Sequence, residues 1–111
     1  LAEPRLATHV WVGAYLARLG QAGIPAYVLR RGDATAGSVL VKCATLDGQA
    51  VLWRHEWNLD SDRREWVRAA TGAEAQIDTA IAREARFDPD LWVIELESRE
   101  GVTLLDQPGL E

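Results

Sequence analysis

The chain has 111 residues, 48 % hydrophobic and 26 % charged, a globular composition in a length that holds one domain and excludes a second. Its net charge of −5 counts against nucleic acid as a partner, because phosphate binding is carried by a basic face. A single cysteine, Cys43, excludes an internal disulfide framework and suits a reducing cytoplasm, and no apolar run approaches the roughly 18 residues that would span a bilayer.

The opening Leu1-Ala2-Glu3-Pro4-Arg5 lacks the basic head and apolar stretch of a secretory leader, so a cytoplasmic location is expected. The terminal Leu110-Glu111 reads as an expression-vector remnant within a single domain over 1–111. The first periodic segment is helical, with Thr8 as the expected N-cap, Gly23 as its stop and Pro25 just beyond. Trp11, Val12, Tyr15, Leu16 and Leu19 share one side of it, and Gly13, Ala14, Ala17 and Gly20 the other. The bulky side is expected to pack on a sheet. The small side is either plain solvent-facing surface or a place where a second backbone can approach, as in a helix-mediated dimer.

Strands follow over Ala26–Arg31, Ser38–Thr45 and Ala50–Trp57, the last carrying Val51, Trp53, His55 and Trp57 on one face. Asp47-Gly48 between the last two is a hairpin signal, and parity decides the loop length. Only a three-residue loop, Leu46-Asp47-Gly48, puts Val39, Val41 and Cys43 on the side of Val51, Trp53 and Trp57. A type I turn with left-handed Gly48 is therefore expected, with Lys42, Arg54 and Glu56 on the opposite face and the apolar residues gathered in one core layer. Asn58–Arg64 reads as a polar loop, Glu65–Ala69 as a short fourth strand carrying Trp66, and Ala73–Arg86 as a second helix with a stripe of Ala73, Ile77, Ala80, Ile81 and Ala85. Leu91–Glu97 is the last strand. The fold class is α+β in the order α-β-β-β-β-α-β, a mainly antiparallel sheet packed by two helices.

An ordered set of short motifs runs along this frame. Arg5-Leu6, Thr8 and Trp11-Val12-Gly13-Ala14 open it, then Gly23-Ile24-Pro25-Ala26, Arg30-Arg31-Gly32-Asp33 and Gly37-Ser38-Val39-Leu40-Val41-Lys42. Leu46-Asp47-Gly48 and Phe87-Asp88-Pro89-Asp90-Leu91-Trp92 complete it. Together these resemble the bacterial domain-of-unknown-function family numbered 1491, across nearly the whole chain from Arg5 to Leu105. The resemblance implies a small single-domain cytoplasmic protein of bacteria and carries no activity, cofactor or catalytic residue with it.

The densest charge near a predicted sheet end is Arg30-Arg31-Gly32-Asp33. Arg30, Arg31 and Lys42 can bind a carboxylate or phosphate, since guanidinium forks match such groups, or they can pair with Asp33 and guard a strand edge. His55, flanked by Trp53 and Trp57, is a base or ligand by type but fits a buried imidazole, and Cys43 on the same face brings no further ligand at zinc spacing. Asp60 and Asp62 lack the glycine and terminal glutamate of a calcium loop, and Glu95 and Glu97 read as a solvated face. Trp66, on a short edge strand, is a binding anchor if its indole is exposed. No cofactor is implied.

Two function classes result. One is a non-catalytic module that binds a protein partner or itself, through the first helix or the Trp66 edge; the lack of a complete catalytic set favours it. The other is a divergent nuclease-like or anion-binding domain using Arg30, Arg31 and Lys42, an analogy of element order only. Lys42 has Leu40 two positions before it where such a site wants an acid, and the net charge opposes phosphate.

Overall fold

A computed structural model describes residues 6–108; Leu1–Arg5 and the terminal Leu110-Glu111 noted in the sequence lie outside them. The elements are α1 (Thr8–Gln21), β1 (Ala26–Arg30), β2 (Val39–Ala44), β3 (Gln49–Asn58), β4 (Arg63–Ala73), α2 (Glu74–Phe87) and β5 (Trp92–Glu97). They build a five-stranded sheet in the order β1-β5-β2-β3-β4, in which β2 and β5 are parallel and every other neighbour pair is antiparallel. This is the α+β fold and element order expected from the sequence.

The centre of the sheet explains its own composition. β2 (VLVKCA) and β5 (WVIELE) are near-continuous apolar runs, as strands covered on both faces require. On one face α1 lays Trp11, Val12, Tyr15 and Leu19 over Val41, Cys43, Trp92, Ile94 and Leu96. On the other, Ile77 of α2 packs with Leu40, Ala50, Leu52, Leu91 and Val93. The expectation of one core layer is thus corrected: the face that parity assigns to Lys42 and Arg54 also carries Leu40 and Leu52, and α2 covers it.

The hairpin parity holds. Val41 faces Trp53 and Cys43 faces Val51, with three residues between Thr45 and Gln49. The turn is not type I, however, because Leu46 as well as Gly48 is left-handed (φ 63° and 85°). Asp47 stabilises this shape by accepting from the Thr45 hydroxyl at 2.6 Å and the Gln49 amide at 3.1 Å.

Helix α1 starts differently from the expectation. Ala7 occupies the cap position with no side-chain bond, and Thr8 already lies inside the helix. The first amides are met instead by backbone carbonyls, Thr8 N–H by Thr35 and His9 N–H by Ala34, while the Thr8 hydroxyl donates to the Gly37 carbonyl at 2.8 Å. A loop supplies what a capping side chain would have. The far end closes as expected on left-handed Gly23.

β3 and β4 are longer than their sequence signals. The polar stretch Asn58–Arg64 is a turn over Leu59–Asp62, where Asn58 Oδ1 accepts from the Asp60 and Ser61 amides, but Asn58, Arg63 and Arg64 at its ends already belong to the strands. β4 then runs eleven residues to Ala73, straight through Thr71-Gly72. β2 pairs with β3 only as far as Arg54. Beyond that point β3 and β4 continue as a two-stranded ribbon.

Candidate functional site

The Arg30–Asp33 segment is a structural clamp. Asp33 Oδ2 accepts from the amides of Thr35 and Ala36 at 3.1 and 2.8 Å, shaping the loop that caps α1. Its carbonyl accepts the Trp92 indole N–H at 2.7 Å, and its own amide donates to Asp90. Arg30 reaches over the chain before β5 and donates to the carbonyls of Pro89 and Leu91, the latter at 2.6 Å. Arg31 lies over the Trp92 ring, 5.2 Å from its centroid. Both arginines therefore hold the Asp88–Trp92 approach to β5.

Lys42 stands apart from them. It is 2 % exposed and sits on the α2 face, where its ammonium meets Glu74 at 2.8 Å, Asp78 at 2.6 Å and Glu95 at 2.8 Å. Three carboxylates take all three donors of the ammonium. Burial alone would depress its pKa; the bonds from Asp78, Glu74 and Glu95 outweigh this and raise it above the ordinary lysine value. Glu95 is correspondingly a buried-side ion-pair partner rather than the solvated residue expected. The structure brings Lys42 together with acids from α2 and β5, and leaves Arg30 and Arg31 with separate partners.

The α1 face of the ribbon carries the other candidate. Register places Trp53 across from Arg68, His55 across from Trp66, and Trp57 across from Arg64 on that one face. Trp66 is half-buried: its indole lies parallel to the His55 imidazole, centroids 4.5 Å apart, and stacks on Trp11 at 5.4 Å. Its Nε1 is enclosed without a hydrogen-bond partner. Arg68 covers the Trp53 ring at 5.5 Å. Trp57, expected inside, is instead 55 % exposed, and Leu59 at the turn is 86 % exposed. The reason is length: alternation puts Trp57 on the α1 side correctly, but α1 does not extend over the end of the ribbon.

Cys43 is buried, which pushes its thiol pKa up and keeps it away from thiolate chemistry. His9 is exposed at the start of α1, well away from His55 in sequence. Among the described residues no group of three or more His, Cys, Asp or Glu side chains is arranged to hold a metal ion, and no helix is long and apolar enough to cross a membrane.

Similar folds are known. A crystal structure of a DUF1491 family protein from Caulobacter crescentus CB15 is 38 % identical, with a TM-score of 0.80 over 93 % of this chain and 95 % of that one. An NMR structure of a DUF1491 family protein from the same organism gives 0.82 at 38 % identity, covering 96 % and 97 % of the two chains. The solution structure of protein Atu0922 from A. tumefaciens gives 0.75 at 33 % identity, covering 95 % and 98 %. No curated protein matches the chain significantly. The model of the family described as protein of unknown function DUF1491 matches residues 6–106, and the chain belongs to that family.

Proposed function

We propose that the protein is a non-catalytic binding module of the bacterial cytoplasm that docks a partner protein through the β3–β4 ribbon. The observation that carries this reading is the ribbon's reach beyond β2, with Trp57 and Leu59 exposed at its end. A large indole held on a rigid strand pair is the side chain that most often dominates protein interfaces, because it buries much apolar area at small entropic cost. Trp66, the anchor named from sequence, contributes from below by fixing the ribbon against α1. The saturation of Lys42 by carboxylates and of Arg30 by carbonyls supports docking over capture of a free anion by those cations.

The test is capture from native extract by the wild-type chain and by a Trp57→Ser, Leu59→Ser variant. A specific partner held by the first and lost by the second is the expected result. Capture indifferent to the ribbon but lost on substituting Ala17 by Glu would move the interface to α1. A dimer that persists in sedimentation with both ribbon residues replaced would make the module self-associating through another face.

A further inference from the structure

The edge of the sheet opposite the ribbon is β1, and β5 takes only one side of it. The Glu97 amide donates to the Pro25 carbonyl at 3.0 Å, so Pro25 and Glu97 form a hydrogen-bonded pair. Such pairs alternate along an antiparallel ladder. Tyr27, opposite Glu95, therefore turns its amide and carbonyl to β5, while Ala26 and Val28 turn theirs away from the sheet. Among the described residues no loop or helix backbone bonds to that outer row. Sheet edges are commonly guarded by charged side chains. This one presents Tyr27, Val28 and Leu29, three successive exposed apolar residues. Its first charge, Arg30, is turned back onto the carbonyls of Pro89 and Leu91.

We propose that β1 pairs antiparallel with β1 of a second copy of this chain, with Tyr27 on the two-fold axis. The pairing window is bounded on both sides. Pro25 has no N–H to give, and the β1 ladder is irregular between Val28 and Arg30. What remains, Ala26 to Val28, is centred on Tyr27. The Ala26 amide then meets the carbonyl of the partner's Val28, and the Val28 amide that of the partner's Ala26. Two-fold symmetry repeats both bonds, so every outward donor and acceptor in the window is used. Tyr27 faces the partner's Tyr27 in a non-hydrogen-bonded pair, where side chains approach closest and aromatic pairs are favourable. No like charges meet: Arg30 falls opposite the partner's Ile24, and Arg31 opposite the partner's Gly23. The window is short and buries less than the roughly 1,200 Å² of a standard interface, so association is weak and reversible. The seam is uncharged while each copy carries −5, so added salt strengthens it by screening the repulsion. The β3–β4 ribbons lie at the far edges and stay free in both copies.

The test follows amide exchange by NMR in the unaltered chain. The Ala26 and Val28 amides are expected to slow at least about fivefold as the protein is raised from about 10 µM to about 1 mM, and more so in high salt. Sedimentation equilibrium over the same range should show Tyr27→Lys and Tyr27→Glu each monomeric and their mixture a heterodimer, because residue 27 faces itself. The exchange result stands even where a variant folds poorly. A chain that stays monomeric at the highest concentration overturns the proposal. So does a dimer unmoved by either substitution, a mixture that fails to associate, association that weakens with salt, or protection that appears on β4 instead of β1. Replacing Trp57 and Leu59 leaves this dimer intact, so its failure and the failure of ribbon docking are read separately.

Discussion

The Lys42 ammonium lies 2.8 Å from a carboxylate oxygen of Glu95, the residue directly beside it in the parallel β2–β5 pair. Lys42 is the one charge in β2 and Glu95 is the inner of the two charges in β5, and they fall side by side. Lys42→Met keeps the volume but leaves Glu74, Asp78 and Glu95 around one point. Removing one partner of a fully buried pair costs about 3–5 kcal/mol; here Glu74 and Asp78 are 40 % and 55 % exposed and can turn to water, so about 2 kcal/mol is expected. Urea unfolding reads it as a lower midpoint at unchanged slope, and Glu95→Gln in the same background should recover part of the loss. An unchanged midpoint would show that the cluster contributes nothing.

Apart from the exposed Tyr27, three groups, all buried in the structure, resist losing their protons in the folded state, and all act in the alkaline range. Burial lifts Cys43 above its ordinary 9.0, burial and then the nearby Cys43 lift Tyr15 far above 10.0, and the carboxylates overcome burial to lift Lys42 above 10.5. Because each folded value is raised, the unfolded chain releases its proton first as pH climbs. The stability these groups contribute is therefore whole below roughly pH 9 and falls above it. Urea midpoints at neutral and alkaline pH measure the slope. Tyr15→Phe removes one share of it, so its decline should be shallower, at a neutral-pH cost of about 1 kcal/mol for the lost bond to the Thr103 carbonyl.

The stack Trp11–Trp66–His55 and the exposed Trp57 separate structure from docking. Trp66→Ala removes an indole held between two rings and should cost about 3 kcal/mol. Trp57→Ser touches a side chain that is mostly in water and should stay within about 0.5 kcal/mol. Thermal melts of the two variants check the contrast. A Trp57 variant that melts as early as the Trp66 variant would mean that its indole is part of the core and not a free anchor.

Much of this architecture is legible in the residues, because alternation and turn chemistry are local. Parity at Leu46-Asp47-Gly48 assigns Val41, Cys43 and Trp53 to one face before any fold is known. Parity names a side and not what covers it. Leu40 and Leu52 share a face with Lys42 and Arg54, and only the placement of α2 makes that face a second core. Trp57 is on the same side as Trp53, and only the length of α1 leaves it outside. Thr8 looks like a cap because threonine at a helix start usually is one; the Asp33–Gly37 loop, distant in sequence, takes that task. The candidate site was legible in part for the same reason. Arg30, Arg31 and Asp33 are local neighbours with separate tertiary duties, whereas the strip of Arg64, Trp66 and Arg68 needs β4 to be a long edge strand, which its polar start conceals.

Glycines give the last prediction, because position and not residue type sets its sign. A Cβ at Gly32 or Gly37 would run into the carbonyl of Asp90, and at Gly37 also into the Asp33 carbonyl and the Trp92 ring. Those neighbours are backbone already committed to the clamp, so they cannot give way without releasing the Asp33 to Asp90 bond and the cap on α1. Gly32→Ala and Gly37→Ala are each expected to lose about 2 kcal/mol or more, in the range that overpacking of a fixed site costs. Gly13 lies in α1 facing water with nothing near its would-be Cβ, and alanine there removes the backbone freedom that glycine forfeits in a helix. Gly13→Ala should gain about 0.5–1 kcal/mol. Urea titrations of the three variants side by side decide it: equal losses would mean that the Asp90 approach is not tight, and a loss at Gly13 would mean that the small face of α1 is already covered.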